Sequence, residues 1–242
     1  MRNNADPVIH RVTELDLKLT PWTWPFARSH RSAIDAHFAE KQRERPDIWN
    51  GRILLGRDPV FAGGRFSAAY FETDFASMLA WRDGVFADPG VFNCFGMGAL
   101  RCADGVFIMG EMSSHTVNAG RIYFPSGTPE PGDVAGGVVD MAHSVEREME
   151  EETGLTSADY RAASHWYCVL AGAAIAIIRP LHADVSGDAM RTKIEANLAR
   201  QVQPELSAIH LVRESSDFNA RMPRFVTAFI ERQLGRSLEA GP

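Results

Sequence analysis

Residues 147–155 read REMEEETGL, with four glutamates crowded into five positions just before a glycine. On a helix, positions 148, 151 and 152 stand at i, i+3 and i+4, so Glu148, Glu151 and Glu152 share one face while Glu150 points roughly the opposite way. Like charges at that spacing cost a few tenths of a kcal/mol per pair, and negative charge at a helix C-terminus costs roughly 0.3–1 kcal/mol more. A hard divalent cation is the natural compensation, since Mg²⁺ takes carboxylate and water oxygens and keeps positions open for a phosphate. A solvated acidic helix end is the plain alternative for an isolated E-x-x-E-E. Arg147, next in sequence, can hold one of the carboxylates by a bidentate contact or form an ordinary surface ion pair.

The helix that carries these residues is expected from about Met141 to Thr153, with Asp140 as N-cap and Gly154 as its left-handed stop. Upstream, VFNCFGMGALRC and VFIMGEM read as strands joined at Ala103-Asp104-Gly105. RIYFP (121–125) is a further strand, and SGTPEPGDVAGG is loop by composition. Downstream, HWYCVL and AAIAIIRPL pair around Ala171-Gly172, and RTKIEANLARQ is a helix with Ile194 and Leu198 on one side. SAIHLVR is the last strand, and Phe225, Val226, Phe229, Ile230 and Leu234 mark an amphipathic helix beginning near Pro223. This mixture of hairpins and helices predicts an α/β sandwich built on a mixed sheet.

Residues 1–90 read as an N-terminal extension packed on the core, with residues 91–242 forming the principal domain. Within the extension, Ile34, His37 and Phe38 share a helical face in SAIDAHFAEKQRE, which Pro46 ends. A short helix starts after Thr73, read as its N-cap, and carries Phe75, Met78, Leu79 and Trp81. Trp22, Trp24 and Phe26 of PWTWPFARS read as packing residues.

At 242 residues and 45% apolar content the chain can bury one substantial core. No apolar run approaches the roughly 20 residues that span a bilayer, and MRNNADPVIH lacks the layout of a signal peptide, so no membrane is expected and the cytoplasm is the expected location. Cys94, Cys102 and Cys168 are odd in number without C-x-x-C spacing, which argues against a disulfide framework or a zinc site. A formal charge of −6 disfavours nucleic acid as a partner, but not a single nucleotide held with a metal.

Arg147, Glu148, Met149, Glu151, Glu152, Gly154 and Leu155 fill every fixed position of R-E-U-x-E-E-x-G-U, where U is apolar, and so this segment resembles the helical half of the Nudix box, the signature of the Nudix hydrolases. RIYFPSGT resembles the strand and turn that open that motif, with Pro125, Ser126 and Gly127 in place of Pro-Gly-Gly. The first half departs from the pattern. The family spaces a glycine, five residues, a glutamate, seven residues and then the arginine; counting back from Arg147 meets Val139 and Asp133 at those positions. Counting forward from Gly127 meets Asp133 where the glutamate belongs, leaving about six extra residues before Arg147.

The resemblance implies a Nudix-type α/β/α sandwich and hydrolysis of a nucleoside diphosphate linked to another moiety, with Mg²⁺ or Mn²⁺ as cofactor and a small-molecule nucleotide as substrate. It assigns Glu148, Glu151 and Glu152 as metal ligands, with Gly127 lending its carbonyl oxygen, and Arg147 to the substrate region. Glu148, Glu152 and Glu205, the last in the loop QVQPELSAI, are the candidates for catalysis. IWNGRILL and RFSAAYFETDF faintly resemble the N-terminal region of eukaryotic Nudix enzymes that hydrolyse UDP-sugars, which implies that Tyr70, Phe71 or Trp81 stacks on the base. His115 and Asn118, in MSSHTVNAG, are within a loop that can reach a substrate. A homodimer is compatible with all of this. The competing readings are a non-catalytic Nudix-like nucleotide-binding or sensing module, and a Nudix-fold isomerase of a prenyl diphosphate, which needs a reactive cysteine.

Overall fold

Residues 6–84 and 88–239 are described by a computed structural model; residues 1–5 of the MRNNADPVIH stretch lie outside them. In chain order the strands are β1 (Val8–Val12), β2 (Glu14–Leu19), β3 (Arg52–Ala62), β4 (Arg65–Asp74), β5 (Val91–Arg101), β6 (Phe107–Met112), β7 (Ile122–Tyr123), β8 (Ser126–Gly127), β9 (Val134–Ala135), β10 (Val138–Val139), β11 (Arg161–Ala162), β12 (Trp166–Ala171), β13 (Ala174–His182) and β14 (Leu206–Val212). The helices are α1 (Pro25–Ser29), α2 (Arg31–Glu44), α3 (Phe75–Arg82), α4 (Met141–Thr153), α5 (Gly187–Leu198) and α6 (Arg224–Glu239).

The sheet is mixed. Its main path runs β1-β12-β13-β5-β3-β4-β2-β10-β9, with β6, β7, β8, β11 and β14 attached alongside. Strands β13 and β5 are parallel from Ala174↔Asn93 to His182↔Arg101, as are β2 and β4 from Glu14↔Arg65 to Leu19↔Tyr70. The hairpin expected after β5 turns through Gly105 (φ 81°) and pairs Arg101 with Phe107, but the strands then diverge, β6 taking β14 and β5 taking β13.

Strand β5 positions two helices on opposite faces of the sheet. A Cβ on Gly96 would sit 2.8 Å from Met141 Sδ and 2.9 Å from Val145 Cγ2, and one on Gly98 2.7 Å from Met149 Sδ. Met141, Val145 and Met149 recur every four residues, so one stripe of α4 lies directly on the bare backbone of β5. Phe95, one residue before Gly96, points to the other side, where its ring meets Phe225 of α6 at 5.8 Å. Helices on both faces of a mixed sheet make this an α/β/α sandwich.

The first ninety residues are woven into that sheet, since β3 pairs with β5 at Gly56↔Phe92 and β1 pairs with β12. Alternation along β3 and β4 sends Leu54, Phe66, Ala68 and Tyr70 into the main core, and Ile53, Leu55 and Phe71 into a second one. That second core is capped by α1, α2 and α3 and contains Trp24, Phe26, Ile34, Phe38 and Trp81, with Trp22 packed against it. Helix α3 is capped by Asp74 in place of the expected Thr73: the Asp74 carboxylate accepts from the Ser77 amide at 2.9 Å. Among the described residues no helix is long and apolar enough to cross a membrane.

Candidate active site

Helix α4 begins on Asp140, whose side chain accepts from the amides of Ala142 and His143, and ends on Gly154 at φ 73°. With Met141, Val145 and Met149 turned onto β5, the neighbouring face presents Glu148 and Glu152 to β8. Strand β8 is held against β5 by the pairs Gly96↔Gly127 and Met97↔Ser126. The Glu148 carboxylate lies so close to Gly127 that a Cβ there would stand 1.8 Å from Oε1. Only a glycine leaves that space.

Glu152 is 3% exposed. Its Oε1 accepts from the Ser126 amide at 3.5 Å, while its Oε2 is buried with no hydrogen-bond partner. Burial, then the neighbouring charges of Glu148 and Glu205, hold its carboxyl well above the usual carboxylate range. Burial pushes Glu148 up to about 7, opposed by Arg147 and reinforced by Glu151 and Glu205. Glu151 projects into solvent.

Arg147 is the internal counter-ion of this cluster. Its Nη2 lies 3.2 Å from Asp133 Oδ2 and 2.9 Å from Glu148 Oε1, and its Nη1 lies 2.9 Å from Glu151 Oε2. Asp133, 2% exposed, also accepts from the Glu130 amide at 2.9 Å. The extra residues of the box loop form the hairpin β9–β10, turned through Gly136 (φ 58°) and Gly137 (φ 81°). The Asp140 amide donates to the Asp133 carbonyl at 2.8 Å, so the hairpin is looped out of the motif without moving Asp133 from Arg147. Its outer edge docks on the N-terminal region, with Val138 paired to Lys18 and the Leu19 amide donating to the Gly137 carbonyl at 2.9 Å.

Glu205 lies in the exposed loop before β14, which is fastened by Ser113: the Ser113 amide donates to the Glu205 carbonyl at 2.7 Å and its hydroxyl to the Pro204 carbonyl at 2.8 Å. Burial and the charge of Glu151 raise the Glu205 carboxyl, while His115 and Arg147 lower it. Tyr123 is a member of this neighbourhood that sequence reasoning missed. Its phenol oxygen accepts from Asn118 Nδ2 at 3.0 Å, and burial together with the fields of Glu152 and Glu205 raises its pKa. Nothing in RIYFP singles it out from a core tyrosine.

Two expected substrate residues are placed elsewhere. Tyr70 is fully buried in the main core and its hydroxyl donates to the Cys94 carbonyl at 3.1 Å. Trp81 is 7% exposed, edge-on to Trp24, with Nε1 donating to the Asp88 carbonyl at 3.2 Å. Phe71 is likewise buried. None of these rings offers a face to a base, because the alternation of β4 and the inner face of α3 point them inward. Arg147 has its donors directed at three carboxylates and serves the cluster itself. The three cysteines are buried thiols, and burial raises each of them, Cys102 to about 11 and Cys168 to about 12; none is a reactive nucleophile.

The donors fit a hard cation: oxygen only, one buried oxygen without a partner, and a glycine cradle beside a second carboxylate. Among the described residues no three His, Cys, Asp or Glu side chains are already drawn together tightly enough to hold a metal ion.

No family model matches the chain, and no curated protein matches it. Solved structures do. It is similar to Nudix hydrolases. The hydrolase RenU of M. smegmatis shares 9% identity at a TM-score of 0.39, over 62% of this chain and 86% of that one. A Nudix hydrolase of Nitrosomonas europaea shares 15% at 0.41, over 60% and 89%. A bifunctional NMN adenylyltransferase/ADP ribose pyrophosphatase of Francisella tularensis, complexed with AMP and a Mn ion, shares 13% at 0.40, over 66% and 45%.

Proposed function

We propose that the chain is a Nudix-type hydrolase that uses Mg²⁺ or Mn²⁺ to cleave a nucleoside diphosphate linked to another moiety, giving a nucleoside monophosphate and a phosphorylated product. The observation that carries this reading is the buried, partnerless Oε2 of Glu152 beside a Glu148 carboxyl pushed up to about 7. Two acids held against their preference for water are costly unless something charged completes the site.

Glu148, Glu151 and Glu152, with the Gly127 carbonyl, would hold the cation. When bound, it supplies charge neutralisation for the diphosphate and an acidified water. The protein's own groups do the rest. Arg147 fixes the carboxylates of Glu148 and Glu151 and is itself fixed by Asp133. Glu148, with a carboxyl near neutrality, and Glu205, on a loop pinned by Ser113, are the groups able to accept a proton from the attacking water.

A screen of nucleoside-diphosphate compounds, nucleotide sugars such as UDP-sugars among them, with Mg²⁺ and Mn²⁺ and analysis of both products tests the reading. Absence of turnover throughout, with tight nucleotide binding by calorimetry, would favour a sensing module instead. The looped-out hairpin speaks for an enzyme, since it lengthens the box without separating Asp133 from Arg147. A soluble cytoplasmic enzyme is the setting this proposal assumes.

A further inference from the structure

A cleft of about 800 Å³ has a basic lining: Lys41, Arg45, Arg82 and Arg121 accompany a single carboxylate, Asp83, together with His37 and Asn118, and none of the glutamates of the candidate active site lines it. This volume is that of a small-molecule site. The chain as a whole carries a formal charge of −6, so four cations around one hollow run against its average. Asp83 is already shared, lying 3.2 Å from His37 Nε2, 3.7 Å from Lys41 Nζ and 3.3 Å from Arg82 Nε. Among the described residues Arg45 and Arg121 have no ion pair at all. Like charges gathered without counter-ions repel one another and concentrate anions from solution.

The cleft is joined to the carboxylate centre through one side chain. Asn118 accepts from Arg82 Nη1 at 3.3 Å and donates to the Tyr123 hydroxyl at 3.0 Å, and Tyr123 in turn feels the charges of Glu152 and Glu205. Asn118 and the buried Tyr123 are thus shared between the wall of the hollow and the surroundings of Glu152 and Glu205. Three of the four cations come from α2, its C-terminal end and α3, so the N-terminal ninety residues supply most of this surface.

We propose that the basic cleft binds a phosphate group of the substrate distinct from the diphosphate that is cleaved, so that the moiety attached to the nucleoside diphosphate is itself phosphorylated. The choice of molecule rests on the hydrolase reading above; the anion site does not. An uncharged sugar would leave Arg45 and Arg121 uncompensated, whereas a phosphate offers the oxygens that guanidinium groups pair with bidentately.

Inorganic pyrophosphate titrated calorimetrically into the full-length protein, in EDTA and at low ionic strength, isolates the cleft from any metal. Saturable binding is expected, weakened at least tenfold in Arg45→Gln/Arg121→Gln and retained in part by Arg45→Lys/Arg121→Lys. Arg191→Gln/Arg213→Gln, which removes surface cations elsewhere, should bind as the parent does. No saturable binding by the parent, or undiminished binding by the glutamine pair, overturns the anion site. With Mg²⁺ present, substrates whose linked moiety carries a phosphate should show a KM at least tenfold lower than their unphosphorylated counterparts; equal KM values overturn the substrate assignment. Pyrophosphate binding lost in the glutamine pair, with no turnover of any nucleoside-diphosphate compound, keeps the anion site and overturns the hydrolase reading alone.

Discussion

The Arg147 guanidinium reaches back across a looped-out hairpin to the buried Asp133 carboxylate, Nη2 standing 3.2 Å from Oδ2. Asp133 has no solvent to fall back on, and Glu148 shares the same guanidinium. Arg147→Ala should therefore leave one buried charge unpaired and a second undercompensated, at a loss of about 2–4 kcal/mol. Arg147→Lys should recover part of this, because an ammonium keeps the charge but not the fork. Urea unfolding of the metal-free protein measures both; a change below ~0.5 kcal/mol in Arg147→Ala would mean that the contact does not organise the cluster.

Glu152→Gln should separate stability from chemistry. The substitution removes a charge that burial, Glu148 and Glu205 all disfavour, so the metal-free variant should be more stable than the parent by about 1–2 kcal/mol. The same change removes a proposed cation ligand, so Mg²⁺ should no longer raise the melting temperature and turnover should fall by at least a hundredfold. A variant that is destabilised in EDTA, yet still stabilised by Mg²⁺, contradicts the role given to Glu152.

Helix α4 was legible in the sequence, because its signals are local: the Asp140 cap and the Gly154 stop lie within one segment. Strands β3 and β4 were not, even though Gly63-Gly64 between them is a turn signal at φ 57° and 78°. Ile53, Leu54, Leu55 and Gly56 of β3 are buried on both faces, so that stretch lacks the polar alternation that marks a surface strand. The box insertion could be counted but not shaped, because the partner that orders it, β2, lies more than a hundred residues upstream. Tyr70 and Trp81 show the converse: an aromatic side chain suits a base or a core equally, and only alternation and helix orientation decide. The basic cleft draws on positions 41, 45, 82 and 121, which no window of sequence brings together.

Acid should stabilise the metal-free protein, which is unusual for a carboxylate-rich chain. Glu148 rises from 4.5 to about 7 on folding, and Glu152 and Glu205 shift the same way. The folded state then binds more protons than the unfolded chain between pH 4.5 and about 7, so stability falls as pH rises through that window and levels off for Glu148 above it. For Glu148 the change amounts to about 3–4 kcal/mol. His182 acts oppositely: burial lowers it, so its contribution grows as pH rises towards 6.5. Comparing Glu148→Gln with the parent removes that background. In EDTA the variant should lose the part of the decline in melting temperature between pH 5.5 and 8 that Glu148 contributes, with Glu152 and Glu205 retaining the rest, and identical pH profiles would refute the assignment.

Gly127→Ala tests the cradle with a single methyl group. The Cβ would stand 1.8 Å from Glu148 Oε1 and 2.3 Å from its Cδ, so the carboxylate must move. What it meets is the far end of a flexible side chain, and swinging it aside costs the fold little, ~1 kcal/mol or less. The displaced carboxylate can no longer share an oxygen-lined hollow with Glu152 and the residue 127 carbonyl. The expected outcome is near-parental urea unfolding in EDTA, with Mg²⁺ affinity, read from the shift in melting temperature, weakened at least tenfold. Unchanged metal stabilisation in a folded Gly127→Ala protein would show that Glu148 and Gly127 do not act together on a cation.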